Sequence, residues 1–181
     1  QLNPTTIEVW YDNNQHATFD FYGKHIFRIF QDNAGGIIRD PEATPEAQIM
    51  VDNPRKPIGN LSVEETGDII TILTSKIKIE LDKQSGLMKV TNQKNREVVF
   101  EETSSPLFGK NKVILTLKEH ADEYFYGGGV QNGRFSHKGK AIAIENQNSW
   151  TDGGVASPTP FYWSTKGYGM MWNTFKKGKY D

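Results

Sequence analysis

Hydrolytic chemistry run by carboxyl groups needs two of them facing each other across the bond to be broken, one as acid and one as nucleophile or base. The chain has 22 acidic residues, and most fall on turns or on the polar faces of strand-like runs. Asp152 stands apart. It sits in Asn148-Ser-Trp-Thr-Asp-Gly-Gly154, a polar, glycine-rich loop that also carries Trp150. Taken alone, Asp152-Gly153 reads as a turn in which the aspartate bonds its own backbone. The four histidines, His16, His25, His120 and His137, show no metal-ligand spacing, and surface or turn roles are expected for them. Of the four, His137 lies in the loop from Gly133 to Lys140. No Gly-x-Ser-x-Gly elbow supports a nucleophilic serine. The run Gly127-Gly128-Gly129 lacks the following helix and the Lys-Ser/Thr pair that a phosphate loop requires. It reads instead as a strand end where two backbones pass closely.

The elements that must position these residues are strands. Thr6–Tyr11, Ala17–Tyr22 and His25–Gln31 mix β-branched and aromatic residues, with Gly23-Lys24 as a hairpin connection between the last two. Ile69–Leu73 is almost wholly apolar. Ser75–Leu81 alternates, with Ile77, Ile79 and Leu81 on one face and Lys76, Lys78 and Glu80 on the other, the period of a half-buried strand. Leu87–Thr91, Val113–Leu117, Tyr124–Tyr126, Ala141–Glu145, Pro160–Ser164 and Gly169–Trp172 complete the set. Only Thr44–Met50 offers a short helical turn. The proline-rich stretch Asp32–Asn60 reads as a long irregular excursion. Lys176–Asp181 reads as a turn and the opening of a further strand, as in a chain cut short of its natural end. Short strands punctuated by Gly, Asn and Asp predict an antiparallel sandwich or barrel.

Composition narrows the class further. With 181 residues and 12% aromatic content, the chain can bury a sizeable core. A formal net charge of -1 leaves no strongly basic face for a nucleic-acid partner. No apolar run approaches the ~20 residues of a membrane span, so no membrane partner is expected. The absence of cysteine excludes a disulfide framework and a thiolate metal site. A first residue of Gln1 rather than Met points to processing or trimming, and export to the periplasm or the cell exterior is the expected localisation.

Two segments carry a resemblance. Glu123-Tyr-Phe-Tyr-Gly-Gly-Gly-Val-Gln-Asn-Gly133 and Pro160-Phe-Tyr-Trp-Ser-Thr-Lys-Gly-Tyr-Gly-Met-Met-Trp-Asn173 together resemble the closing part of the N-terminal β-sandwich of glycoside hydrolase family 31, the α-glucosidase and α-xylosidase family. The resemblance is strong from Asp122 to Asp181 and rests on strand content alone before that. It implies an all-β fold, a large antiparallel two-sheet β-sandwich of the galactose mutarotase type. That one domain would occupy residues 1–181 and end before a (β/α)8 catalytic barrel. The implied parent activity is retaining hydrolysis of an α-glycoside, with neither cofactor nor metal. The family's nucleophile lies in a Trp-x-Asp-x-Asn-type segment that this sequence lacks, so the nucleophile and the acid/base belong outside the chain and no catalytic residue is expected within it.

The implied partners are an oligosaccharide or α-glycoside substrate and the protein's own barrel. Asp152 corresponds to an aspartate on a loop that reaches over the barrel mouth and hydrogen-bonds the sugar, with Trp150 as an apolar plate beside it. The chain departs from the family in two places. Only Gly153–Thr159 separates Asp152 from the Pro-Phe strand, where family members carry a longer insertion, and a shorter loop would open or reshape the sugar pocket. Three consecutive glycines also replace the usual Gly-x-Gly. Phe161, Tyr162, Trp163, Tyr168 and Trp172 form an aromatic cluster expected to pack, with Phe161 and Trp163 on one face and Tyr162 opposite. Asn173 matches a structural asparagine. The alternative function is a free-standing carbohydrate-binding β-sandwich without catalysis, which should lack a broad exposed apolar patch. A mutarotase-like epimerase would need a convergent acid and base that the sequence does not offer.

Overall fold

The computed structural model describes residues 1–12, 14–31, 56–133, 135–147, 151, 154–174 and 176–181. Among them every regular element is a strand and every strand pairing is antiparallel, the all-β class expected. The excursion up to residue 55 and the turn Thr44–Met50 lie outside the described residues. The chain divides into two compact units, Gln1–Lys118 and Glu119–Asp181.

The first unit is a sandwich of two sheets. β1 (Thr6–Trp10), β2 (His16–Gly23) and β3 (Ile26–Phe30) form one sheet in chain order. β4 (Ser62–Thr66), β5 (Ile69–Leu73), β6 (Ile77–Asp82), β7 (Met88–Asn92), β8 (Val98–Phe108) and β9 (Val113–Leu117) form the other, again in chain order. Each connection is a hairpin, so register follows from pattern alone. Ile72 stands opposite Ile79, Ile79 opposite Val90 and Val90 opposite Phe100, an unbroken apolar row across four strands. Facing it, Ile7 stands opposite Phe19 and Val9 opposite Ala17, all buried. Hydrogen bonds tie the two sheets at their ends. The Asp12 amide donates to the Lys83 carbonyl at 3.0 Å, and the Thr74 hydroxyl donates to the Lys24 carbonyl.

Two of these strands escape a reading by pattern. β4 is exposed at all five residues and shows no inward apolar set. β8 carries Glu101, Glu102 and Pro106, which interrupt its alternation, and two register shifts between it and β9 absorb the irregularity.

The second unit holds a three-stranded sheet, β10 (Phe125–Gln131), β12 (Val155–Ser164) and β13 (Tyr168–Met171), in the order β10-β12-β13. A two-stranded sheet joins β11 (Ile142–Ile144) to β14 (Gly178–Tyr180). The final strand expected at the C-terminus is therefore formed, and it pairs Ile142 with Tyr180.

Candidate functional site

The triple glycine works as the sequence predicts, by letting two strands approach closely. Gly127 and Gly129 have φ of 106° and 82°, a region that side chains disfavour. A Cβ on Gly127 would lie 2.7 Å from the Phe161 carbonyl oxygen, and one on Gly129 would collide with the Ser157 carbonyl oxygen. The contact shifts the register between Gly127 and Gly129 and sets the course of β12. Among the described residues no helix follows the glycines.

Strand alternation then divides the aromatic cluster. Tyr126 pairs with Trp163, Trp163 with Gly169 and Phe161 with Met171, which puts Tyr126, Phe161, Trp163 and Met171 on one face of the sheet. Tyr126 stacks on Trp163 with ring centroids 4.5 Å apart, and Phe135 meets Tyr126 edge-on at 5.6 Å. This face is open: Phe135 is 88% exposed, Trp163 45% and Phe161 40%. The expectation that the whole cluster packs holds only for the other face. There Tyr162 meets Phe125, Tyr168 and Tyr180 edge-on at 5.9, 6.2 and 5.0 Å. The open face differs because no described residue covers it, whereas Tyr162 has neighbours from three other strands, β10, β13 and β14.

Glu123 anchors that covered face and is 0% exposed. It accepts hydrogen bonds from the Ser164 hydroxyl and from the His120 amide (3.1 Å), and it also hydrogen-bonds Tyr168. Burial pushes the Tyr162 hydroxyl up to about 12, and burial also raises Tyr168 well above its ordinary value. Lys138 closes the preceding turn by donating to the carbonyls of His120, Ala121 and Glu123 at 3.2, 2.6 and 2.7 Å. Sequence reasoning missed Glu123, and its one signal was position, at the head of the aromatic strand. Sealed from solvent and fully bonded, it holds a fold together and cannot reach a substrate.

The histidines correct a sequence expectation. His16 and His137 are buried rather than surface or turn residues. His137 Nε2 lies 2.9 Å from the Gly127 carbonyl oxygen, and the His16 ring lies 4.2 Å from Trp10. Burial of an imidazole depends on the segments that close around it, which residue type alone does not reveal. Among the described residues no group of three or more His, Asp or Glu side chains is arranged to hold a metal ion.

Trp150 and Asp152, the predicted sugar contacts, lie outside the described residues. Their neighbours are placed: the Gly154 amide donates to the Thr151 carbonyl at 2.9 Å, and the Asn132 amide donates to the Gly154 carbonyl at 3.0 Å. This ties the C-terminal side of that loop to the end of β10.

Similar folds occur in much larger enzymes. A GH31 α-xylosidase from Xanthomonas citri is 19% identical, with a TM-score of 0.72, over 99% of this chain and 19% of that one. A GH31 dextranase from Flavobacterium johnsoniae, crystallised with isomaltotriose, is 20% identical, with a TM-score of 0.81, over 97% of this chain and 22% of that one. A GH31 α-xylosidase from a soil metagenome, crystallised with xylose, is 22% identical, with a TM-score of 0.70, over 99% of this chain and 28% of that one. The chain thus spans between a fifth and somewhat over a quarter of the length of these structures. The family model for the glycosyl hydrolase 31 N-terminal galactose mutarotase-like domain matches residues 16–181. The chain belongs to that family of N-terminal domains.

Proposed function

We propose that this domain is the non-catalytic front part of a retaining α-glycoside hydrolase. It docks its open aromatic face on the catalytic (β/α)8 barrel and lends the loop carrying Trp150 and Asp152 to the sugar pocket. The observation that supports this best is the face formed by Tyr126, Phe135, Phe161, Trp163 and Met171. Contiguous apolar surface on a sheet marks a surface that another protein part covers. A sugar-stacking platform needs several polar groups converging beside its rings, and among these five residues only the Tyr126 hydroxyl and the Trp163 indole N–H are polar side-chain hydrogen-bonding groups. The face therefore favours docking over the alternative of a free-standing carbohydrate-binding module.

In this reading the reaction's carboxylates come from the barrel, and this chain contributes positioning. Asp152 accepts hydrogen bonds from sugar hydroxyls, and its charge makes them stronger than neutral ones. Substrate held slightly out of place can cost orders of magnitude in rate.

The test is a pair of variants in the intact protein, assayed on a panel of α-glucosides and α-xylosides. Phe161→Ala with Trp163→Ala should lower activity and split one thermal transition into two. Asp152→Ala should lower kcat/KM about 10- to 100-fold while leaving the melting behaviour unchanged. A native gene product of about 20.5 kDa, or undiminished activity and a single transition in the double variant, would sink the docking reading.

A further inference from the structure

β1 and β4 are edge strands: among the described residues β1 pairs along its length only with β2, its outer edge being met at Thr6 alone by a bridge to Asn3, and β4 pairs only with β5. The direction of their outward backbone groups follows from register. The Phe21 amide donates to the Thr5 carbonyl and the Tyr11 amide to the Gln15 carbonyl, each at 2.8 Å. Thr5, Ile7, Val9 and Tyr11 therefore spend their backbone groups on β2, while Glu8 and Trp10 aim theirs away from the sheet. In the facing sheet, the Lys83 amide donates to the Asp68 carbonyl and the Thr74 amide to the Ile77 carbonyl. This turns the even residues of β5 toward β6 and its odd residues toward β4. Val63 and Glu65 are then the outward-bonding positions of β4.

These outward positions border one cleft. Its volume is about 410 Å³, and Glu8, Trp10, Val63 and Glu65 line it together with Asp12 and Lys83. Val63 points to the core side of its sheet, in line with Ile72, yet is 39% exposed. The mouth of the sandwich thus combines an unpaired strand edge, an uncovered apolar residue and three carboxylates. Lys83 Nζ, 2.7 Å from Glu65 Oε1, is the one cationic side chain among the described lining residues.

We propose that this cleft binds an extended, cationic peptide strand from a partner protein, added to the open edge of β1. The added strand takes the Glu8 and Trp10 backbone groups as hydrogen-bond partners. Every second side chain turns inward onto Val63 and is apolar. The alternate ones face outward beside Glu8 and carry positive charge. A second copy of this chain fits poorly, because it would bring its own Glu8 and Asp12 against a wall already acidic. The inference does not depend on where the aromatic face docks.

The test uses the 181-residue chain and a ten-residue peptide of alternating Lys and Val. Hydrogen exchange should show new protection at the Glu8 and Trp10 amides on adding this peptide, and none with alternating Glu and Val. Glu8→Pro removes an amide that β2 does not use, so the variant should fold while weakening binding at least about tenfold. If that variant does not fold, Glu8→Lys with Glu65→Lys serves instead, and it should reject the cationic peptide and admit the acidic one. The proposal is overturned by absent protection or by binding that Glu8→Pro leaves unchanged. Protection at Glu8 and Trp10 before any peptide is added would overturn it too. So would self-association through this edge, or protection of the same amides by isomaltotriose.

Discussion

Glu102 holds its carboxylate inside the first unit, 7% exposed, with Oε2 accepting the Met88 amide at 2.8 Å. Burial raises its carboxyl from 4.5 to about 7, against the opposing pull of that hydrogen bond. The folded protein therefore holds this proton more tightly than the unfolded chain. Stability from this group is fully present below about pH 4.5 and falls as pH rises through about 7, by about 3 kcal/mol in all. Glu102→Gln should keep the Met88 bond, abolish this slope and raise stability at pH 8 while changing little at pH 4.5. Urea unfolding at both pH values measures this. Glu123 poses a different problem, because its partners are buried with it. Glu123→Ala would strand the Ser164 hydroxyl proton and the His120 amide and leave the Tyr168 hydroxyl with Tyr162 alone, costing about 3 kcal/mol. A thermal melt of the variant should show that loss, with Glu123→Gln recovering part of it. Neither carboxylate was legible in the sequence. Acidic residues on strands look alike until the neighbouring strands are in place.

At the scale of elements, the contact of β10 with β12 depends on backbone proximity. Gly129→Ala has no room against Ser157 and Thr159, and it also forces a side chain into positive φ. It should cost several kcal/mol, roughly 3 or more, and abolish the near-ultraviolet dichroism of the stacked Tyr126–Trp163 pair. The six-stranded sheet depends on side chains instead. Ile79 is fully buried in the row that joins β5 to β8, so Ile79→Ala should lower stability by about 3 kcal/mol without altering the topology. Chemical denaturation gives the number, and an unchanged far-ultraviolet spectrum checks the second point. Elements rich in apolar and β-branched residues were readable. Ile69–Leu73 and Val113–Leu117 coincide with β5 and β9. β4 was not readable, because an edge strand exposed at every residue carries no periodic signal and forms only because β5 offers its backbone.

At the scale of the whole molecule, the open aromatic face should make the isolated chain bind a hydrophobic dye and self-associate as concentration rises. Phe161→Ala with Trp163→Ala should reduce both, measured by dye fluorescence and sedimentation velocity. What the sequence determined was the class and the family. Hairpin order, the glycine run and the Pro160–Asn173 segment depend on residues close together in the chain, and local chemistry records them. What only the tertiary structure decided was which side chains are covered. Phe161 and Tyr162 are adjacent and both aromatic, yet one is open and the other is packed among Phe125, Tyr168 and Tyr180. The same holds for the two buried carboxylates, the two buried histidines and the cleft between β1 and β4. Burial is a property of what distant segments bring alongside a residue, and no local pattern contains it.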